Sequence, residues 1–146
     1  VSPTPDIAAL AARVLTREPV AVARAISLVE DRRAAAEPTA IAILSELGRV
    51  GRAAACHRVG ITGPPGVGKS SLVSALVRAV RAAGRSVGVL AVDPSSPRSG
   101  GALLGDRARI EIAPDDRDAF VRSMASGGQL GGLARAAGAA VDVLSA

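Results

Sequence analysis

The sequence predicts an α/β fold in which an incomplete parallel sheet is preceded by a helical extension, and three observations predict it. Roughly the first fifty residues repeat apolar positions at helical spacing. His57–Thr62 is a short apolar run leading into a glycine-rich loop and a second helical pattern, and Ser86–Val92 is a continuous apolar run with β-branched residues, ending in Asp93. Strand, loop, helix and strand in that order is what a right-handed crossover between parallel strands requires.

In the extension, Asp6 provides an N-cap for a helix over residues 7–15. A second segment, ending near Arg33, places Ala21, Ala25, Leu28 and Val29 on one stripe. A third begins at Pro38, a residue favoured in the first helical turn, and runs through Ile41, Ile43, Leu44 and Leu47 to Gly51. None of the three presents a catalytic constellation. Residues 1–55 therefore read as an amphipathic cap on the domain formed by residues 56–146.

His57–Thr62 is expected as a short buried strand, with Cys56 and His57 as ordinary residues at its start. Adjacent strand residues face opposite ways, and neither has a plausible second metal or nucleophile partner. The most specific signal in the chain comes directly after this run: Gly63-Pro64-Pro65-Gly66-Val67-Gly68-Lys69-Ser70 is a complete G-x-x-x-x-G-K-[ST] phosphate-binding loop. Gly63, Gly66 and Gly68 let backbone N–H groups approach phosphate oxygens that a Cβ would obstruct. Ser70 supplies a hydroxyl for Mg²⁺. The next helix, Ser71–Arg81 stopped by Gly84, adds about half a unit of positive charge at its start.

Lys69 is the only lysine; every other Lys or Arg position is arginine. The composition thus uses arginine wherever a generic cation suffices and keeps lysine where a compact ammonium is required. A guanidinium is a broad planar fork and does not slip between such a loop and the β- and γ-phosphates.

Beyond the helix, Ser86–Val92 is expected as a strand buried on both faces. In an open parallel sheet the carboxyl ends of the strands face the ligand crevice, so Asp93 arrives on the same edge as the loop. There it can hold a water of the Mg²⁺ shell or orient the attacking water. Residues 94–107 are rich in Pro, Ser and Gly and read as a switch-like loop, with Asp106 as the natural second carboxylate for the metal. Ala119–Met124 reads as a further strand, followed by the Gly-rich residues 127–132 and an alanine-rich helix towards Leu144.

Composition sets the remaining bounds. With 49% hydrophobic and 21% charged residues the chain belongs among globular proteins, and with Phe120 as its single aromatic its core must be built from Val, Leu, Ile and Ala. The net charge of +5 does not indicate nucleic acid, because the arginines are scattered and no aromatics interleave with them. No run approaches a membrane span and the start lacks an export signal, so the expected location is cytoplasmic, with no membrane partner. The single cysteine excludes an intrachain disulfide.

Three segments together resemble the methylmalonyl-CoA mutase-associated GTPases of the MeaB/ArgK type, once described as transport-system kinases for lysine, arginine and ornithine. They are Gly60–Ser71; Val92-Asp93-Pro94-Ser95-Ser96-Pro97 continuing to Gly100-Gly101-Ala102-Leu103-Leu104-Gly105-Asp106-Arg107; and Phe120–Met124 with Gly128–Gly132. The resemblance implies a P-loop NTPase sheet and a GTPase that binds an adenosylcobalamin-dependent acyl-CoA mutase, gates loading of its cofactor and protects it. It implies GTP and Mg²⁺ as cofactors and a homodimer at full length. By carry-over Gly63, Pro64, Pro65, Gly66, Val67, Gly68, Lys69, Ser70 and Ser71 bind the nucleotide; Ser70, Asp93 and Asp106 belong to the metal and switch region; Lys69 and Asp106 are the catalytic residues. The family continues with a Glu-Thr-Val-Gly strand beside the loop strand, an Asn-Lys-x-Asp guanine-recognition motif and a dimerisation arm. None of these is in the sequence, which is therefore expected to be an N-terminal fragment whose Val59–Thr62 backbone lacks a neighbour on one side. The loop alone does not distinguish transfer to water from transfer to another acceptor. A P-loop kinase acting on a small molecule or transport protein, or an inactive nucleotide-binding fragment, are the alternatives.

Overall fold

A computed structural model describes residues 6–50, 56–93, 116–125 and 136–146. In chain order the elements are α1 (Ile7–Leu15), α2 (Pro19–Glu30), a 3₁₀ turn at Ala34–Ala36, α3 (Glu37–Val50), α4 (Lys69–Ala82), β1 (Val87–Asp93), β2 (Ala119–Ala125) and α5 (Ala137–Ser145). They form two compact units, with α1, α2, α3 and α5 in one and α4, β1 and β2 in the other.

In the helical unit, Asp6 caps α1 as its sequence position predicts, its carboxylate accepting from the Ala9 N–H at 3.0 Å. Leu10, Ala11 and Val14 form the buried side of α1. Pro19 opens α2, where its missing N–H costs nothing. The buried stripe of α2 is Ala21, Val22, Ala25 and Ile26, whereas Leu28 and Val29, expected on it, are half-buried. The reason is that α2 packs against α1, α3 and α5 together, which rotates the covered side toward Val22 and Ile26. Helix α3 begins one residue before Pro38, at Glu37, whose carboxylate suits the positive first turn. It buries Ile43 and Leu47 but leaves Ile41 57% exposed. Helix α5 follows β2 in sequence, yet it packs on α2 and α3 and buries Ala137, Ala140 and Val143.

Among the described residues Ile26, Ile43 and Val143, one from each of three helices, are the largest fully buried side chains, and Ala11, Ala21, Ala25, Ala137 and Ala140 are buried in the same unit. Small residues at the contacts let helix axes approach closely, so the aromatic-poor composition closes its core by proximity rather than bulk.

The turn from α1 to α2 is a Schellman motif with arginine where glycine is usual. Glu18 N–H bonds Arg13 O at 3.1 Å and Arg17 N–H bonds Val14 O at 2.8 Å, with Arg17 at φ +58°. An L-residue with a Cβ pays for this left-handed conformation.

In the second unit β1 and β2 pair in parallel, in register from Val87 opposite Ala119 to Asp93 opposite Ala125. Two expectations fail here. His57–Thr62 is not a strand: it is an exposed, irregular segment, with Val59 76% and Ile61 37% exposed, so Cys56 and His57 do not begin a strand. A strand exists only through its ladder to a neighbour, and among the described residues β1 pairs with β2 and no strand flanks residues 57–62. For the same reason Val87, Val89, Leu90, Ala91 and Val92 of β1 are half-buried and Gly88 is exposed, instead of the strand being covered on both faces. The helix after the loop does form, and it ends with Gly84 at φ +69°.

The left-handed turn gives a direct test. Arg17→Gly should exceed Arg17→Ala in stability by about 1 kcal/mol, because both lose the guanidinium and only alanine keeps the strained Cβ. Thermal unfolding of the two variants measures the difference.

Candidate functional site

The loop Gly63–Gly68 leads directly into α4, with Gly68 as the N-cap and Lys69 as the first helical residue. Pro64 and Pro65 have no N–H, so after Gly63 the backbone donors resume at Gly66 and continue through Val67, Gly68, Lys69, Ser70 and Ser71. Gly66 at φ +80° and Gly68 at φ +91° hold left-handed conformations, the kind from which anion-binding turns of backbone N–H groups are built. A Cβ at either would meet no atom within 4 Å, so backbone conformation, not crowding, selects glycine there, and the space beside the backbone is open to a ligand atom.

Helix α4 adds its own donors. Its first internal bond runs from Leu72 N to Gly68 O at 3.0 Å, so Lys69, Ser70 and Ser71 make up the first turn, and the N-cap Gly68 has no side chain to cap it. The partial positive charge of the helix start falls at the same place. The Lys69 ammonium folds back over the loop and donates to Gly63 O and Pro64 O, both at 2.8 Å. One cation thereby ties the first two carbonyls of the loop to the start of the helix. Ser74 Oγ donates to Ser70 O at 2.9 Å.

Of the predicted site residues, Gly63 to Ser71 thus form one continuous structure. Asp93 is the last residue of β1, and its backbone alone is described; Asp106 and the switch-like loop of residues 94–107 lie outside the described residues. Among the described residues no three His, Cys, Asp or Glu side chains converge into a metal-holding group. Nor is any helix among them long and apolar enough to cross a membrane.

Sequence reasoning missed a second polar cluster at the far end of α4. Arg81 donates Nε to Asp116 Oδ2 at 2.7 Å, Nη2 to Asp116 Oδ1 at 2.9 Å and Nη1 to Arg85 O at 2.7 Å. Asp116 Oδ1 also accepts the Asp118 N–H at 3.0 Å, and Asp118 O accepts the Val87 N–H at 2.8 Å. The signal available was the acidic run Asp115-Asp116-Arg117-Asp118 just ahead of a strand, following an arginine in the last turn of the preceding helix. The Arg81 hydrogen bonds hold the Asp116 carboxyl below the usual carboxylate range, opposed by partial burial and assisted by the Asp118 N–H; Asp116 in turn raises Arg81.

Comparison with known proteins places this site in a family. A model of the family described as methylmalonyl Co-A mutase-associated GTPase MeaB matches residues 22–146. The chain belongs to that family. A relative from Pyrococcus horikoshii is 47% identical over 126 residues, covering 86% of this chain and 38% of its own length. A Mycobacterium tuberculosis protein named "Probable GTPase" is 41% identical over 141 residues, 94% of this chain and 40% of that one. The mouse protein named methylmalonic aciduria type A homolog, mitochondrial, is 43% identical over 84 residues, 58% of this chain and 20% of that one. Among solved structures, one described as LAO/AO transport system kinase superposes with a TM-score of 0.65 at 26% identity, covering 95% of this chain and 38% of that one. The MeaB-family chain thus spans about two fifths of the length of the first curated relatives it matches. Its fold is the α/β P-loop arrangement, a parallel sheet with a helical N-terminal part.

The Arg81–Asp116 pair has a defined pH dependence. Because the folded carboxyl is lowered, its stabilisation is fully present above the unfolded value, about 3.9, and is lost as pH falls through the folded value. Asp116→Asn should lower stability at pH 7 and flatten its decline below about pH 4; circular dichroism during acid titration measures both.

Proposed function

We propose that the complete protein binds and hydrolyses GTP at residues 63–71 and serves an adenosylcobalamin-dependent acyl-CoA mutase of the methylmalonyl-CoA type. In this reading it gates loading of the mutase's cofactor, protects the mutase and works as a homodimer. One observation carries the nucleotide part: the Lys69 ammonium, anchored on Gly63 O and Pro64 O, stands in the first turn of α4, directly after a loop with left-handed glycines at Gly66 and Gly68. Membership of a family described as mutase-associated supports the partner, as do relatives named for the region 3′ of mutB in Streptomyces virginiae and for methylmalonic aciduria in mouse.

The chemistry proposed is positioning and charge neutralisation, with no covalent intermediate. An ammonium has three donors; two lie on loop carbonyls and the third is assigned to the β- and γ-phosphate oxygens. The N–H groups from Gly66 to Ser71 bind the remaining phosphate oxygens. Ser70, Asp93 and Asp106 offer hard oxygen donors, the type Mg²⁺ takes in small number beside phosphates and water, and are the residues that would hold it. When bound, Mg²⁺ neutralises charge on the phosphate oxygens. Residues 1–55 are proposed as the helical extension and residues 56–146 as the first half of the nucleotide-binding domain. Phosphate transfer to a small molecule or a transport protein is the rival reading, in keeping with the solved neighbour described as a kinase.

Full-length protein should turn over GTP in preference to ATP in a phosphate-release assay; equal turnover, or γ-phosphate appearing on an amino acid, would favour the kinase. Lys69→Ala should lower turnover by about 10²-fold or more. Lys69→Arg should fail as well, because a planar fork does not reproduce two carbonyl bonds and a phosphate contact from one point. An arginine variant with most of the activity would refute the role given to the compact ammonium. Asp106→Ala should keep nucleotide affinity, measured by fluorescence titration, while depressing hydrolysis.

A further inference from the structure

We infer that Arg81 is a positioning residue for the phosphate loop: by fastening the C-terminal end of α4 to the starts of both strands, it sets where the helix's other end, with Lys69, stands relative to Asp93. The inference rests on the hydrolytic reading of the loop given above.

Helix α4 has 14 residues and β1 has 7. Those counts correspond to about 21 Å of helix and about 23 Å of strand. One end of α4 is fixed to the turn before β1, through Arg81 to Arg85 O, and to the turn before β2, through Asp116. Helix α4 contacts β1, and a helix of matching length running back from that end directs its own start, and the loop, toward the end of β1 where Asp93 lies. Any tilt allowed at Arg81 becomes a displacement of Lys69.

Apolar packing does little to prevent that tilt. Val77 is the buried residue of α4, while Leu72 and Leu76 are 53% and 42% exposed. The guanidinium resists it in a way a single contact would not. Its three hydrogen bonds, two to Asp116 and one to Arg85 O, are donated from one planar fork and fix orientation as well as distance. Asp116 is itself locked to the turn by the Asp118 N–H, and Asp118 O holds the Val87 N–H, so both strand starts are referenced to the same side chain.

The loop's own closure, Lys69 on Gly63 O and Pro64 O, is local and does not involve Arg81. Loss of Arg81 should therefore spare the binding of phosphates and disturb their placement against Asp93. The signature is a fall in kcat with little change in KM.

The test uses full-length protein with Arg81→Gln, Arg81→Lys, Asp116→Asn and the double variant Arg81→Gln/Asp116→Asn, measuring kcat and KM for GTP at 25 °C together with Tm. Ile43→Ala, in the helical unit, is the control for stability alone. Arg81→Gln and Asp116→Asn should each lower kcat by about 10-fold with KM within about 2-fold, since misplacement away from the chemistry acts on the reacting geometry. The double variant should be no slower than either single one, because the two residues act as a unit. Lysine at position 81 should rescue little, and Ile43→Ala should lower Tm while kcat holds. A Tm loss in Arg81→Gln with kcat unchanged, additive effects in the double variant, or full rescue by lysine would overturn the inference. Wild-type protein without GTP turnover would overturn the functional reading and this inference with it.

Discussion

One ammonium group closes the loop on which the second unit is organised. With Nζ of Lys69 bound to the carbonyls of Gly63 and Pro64, a segment that has no sheet pairing becomes continuous with α4. Two hydrogen bonds from a charged donor are each stronger than neutral ones, and they act across only five and six residues of chain. The closure therefore needs little from the rest of the fold. That explains how the loop keeps its form although Val59 and Ile61 before it are exposed.

The loop was legible in the sequence because its determinants are local. Positive φ at Gly66 and Gly68, the absent N–H of two prolines and a lysine at the helix start depend on residue type and spacing alone. The cap at Asp6, a strand over Ala119–Met124 and a helix towards Leu144 were legible for the same reason. His57–Thr62 was misread because apolar composition is only a propensity for a strand, and a ladder needs a neighbour that no local pattern supplies. The buried face of α2 was rotated by one position because three helices share it. Arg81 and Asp116 escaped because they lie 35 residues apart and meet only through the fold.

The two units differ in what holds them. The helical unit relies on close approach at alanines around Ile26, Ile43 and Val143, with surface pairs such as Arg13–Glu18 and Glu46–Arg49 contributing little. Asp31, drawn down to about 2 by the Arg33 hydrogen bonds, is another such pair at the end of α2. Among the described residues the second unit has less apolar burial, and directed polar contacts stand at both ends of α4, at Lys69 and at Arg81. Apolar packing tolerates small slides, whereas a planar bidentate pair does not, so the unit proposed for chemistry is the one held by geometry-specific bonds.

The pair Pro64-Pro65 has a further consequence. Each ring fixes φ near −65°, so the first half of the loop surrenders little conformational entropy when a ligand orders it, while Gly66 and Gly68 supply the freedom to turn. Stiff and compliant residues thus alternate within six positions. Replacing the prolines with flexible residues would leave every donor of the loop in place and still weaken binding, because the cost would fall on the free state.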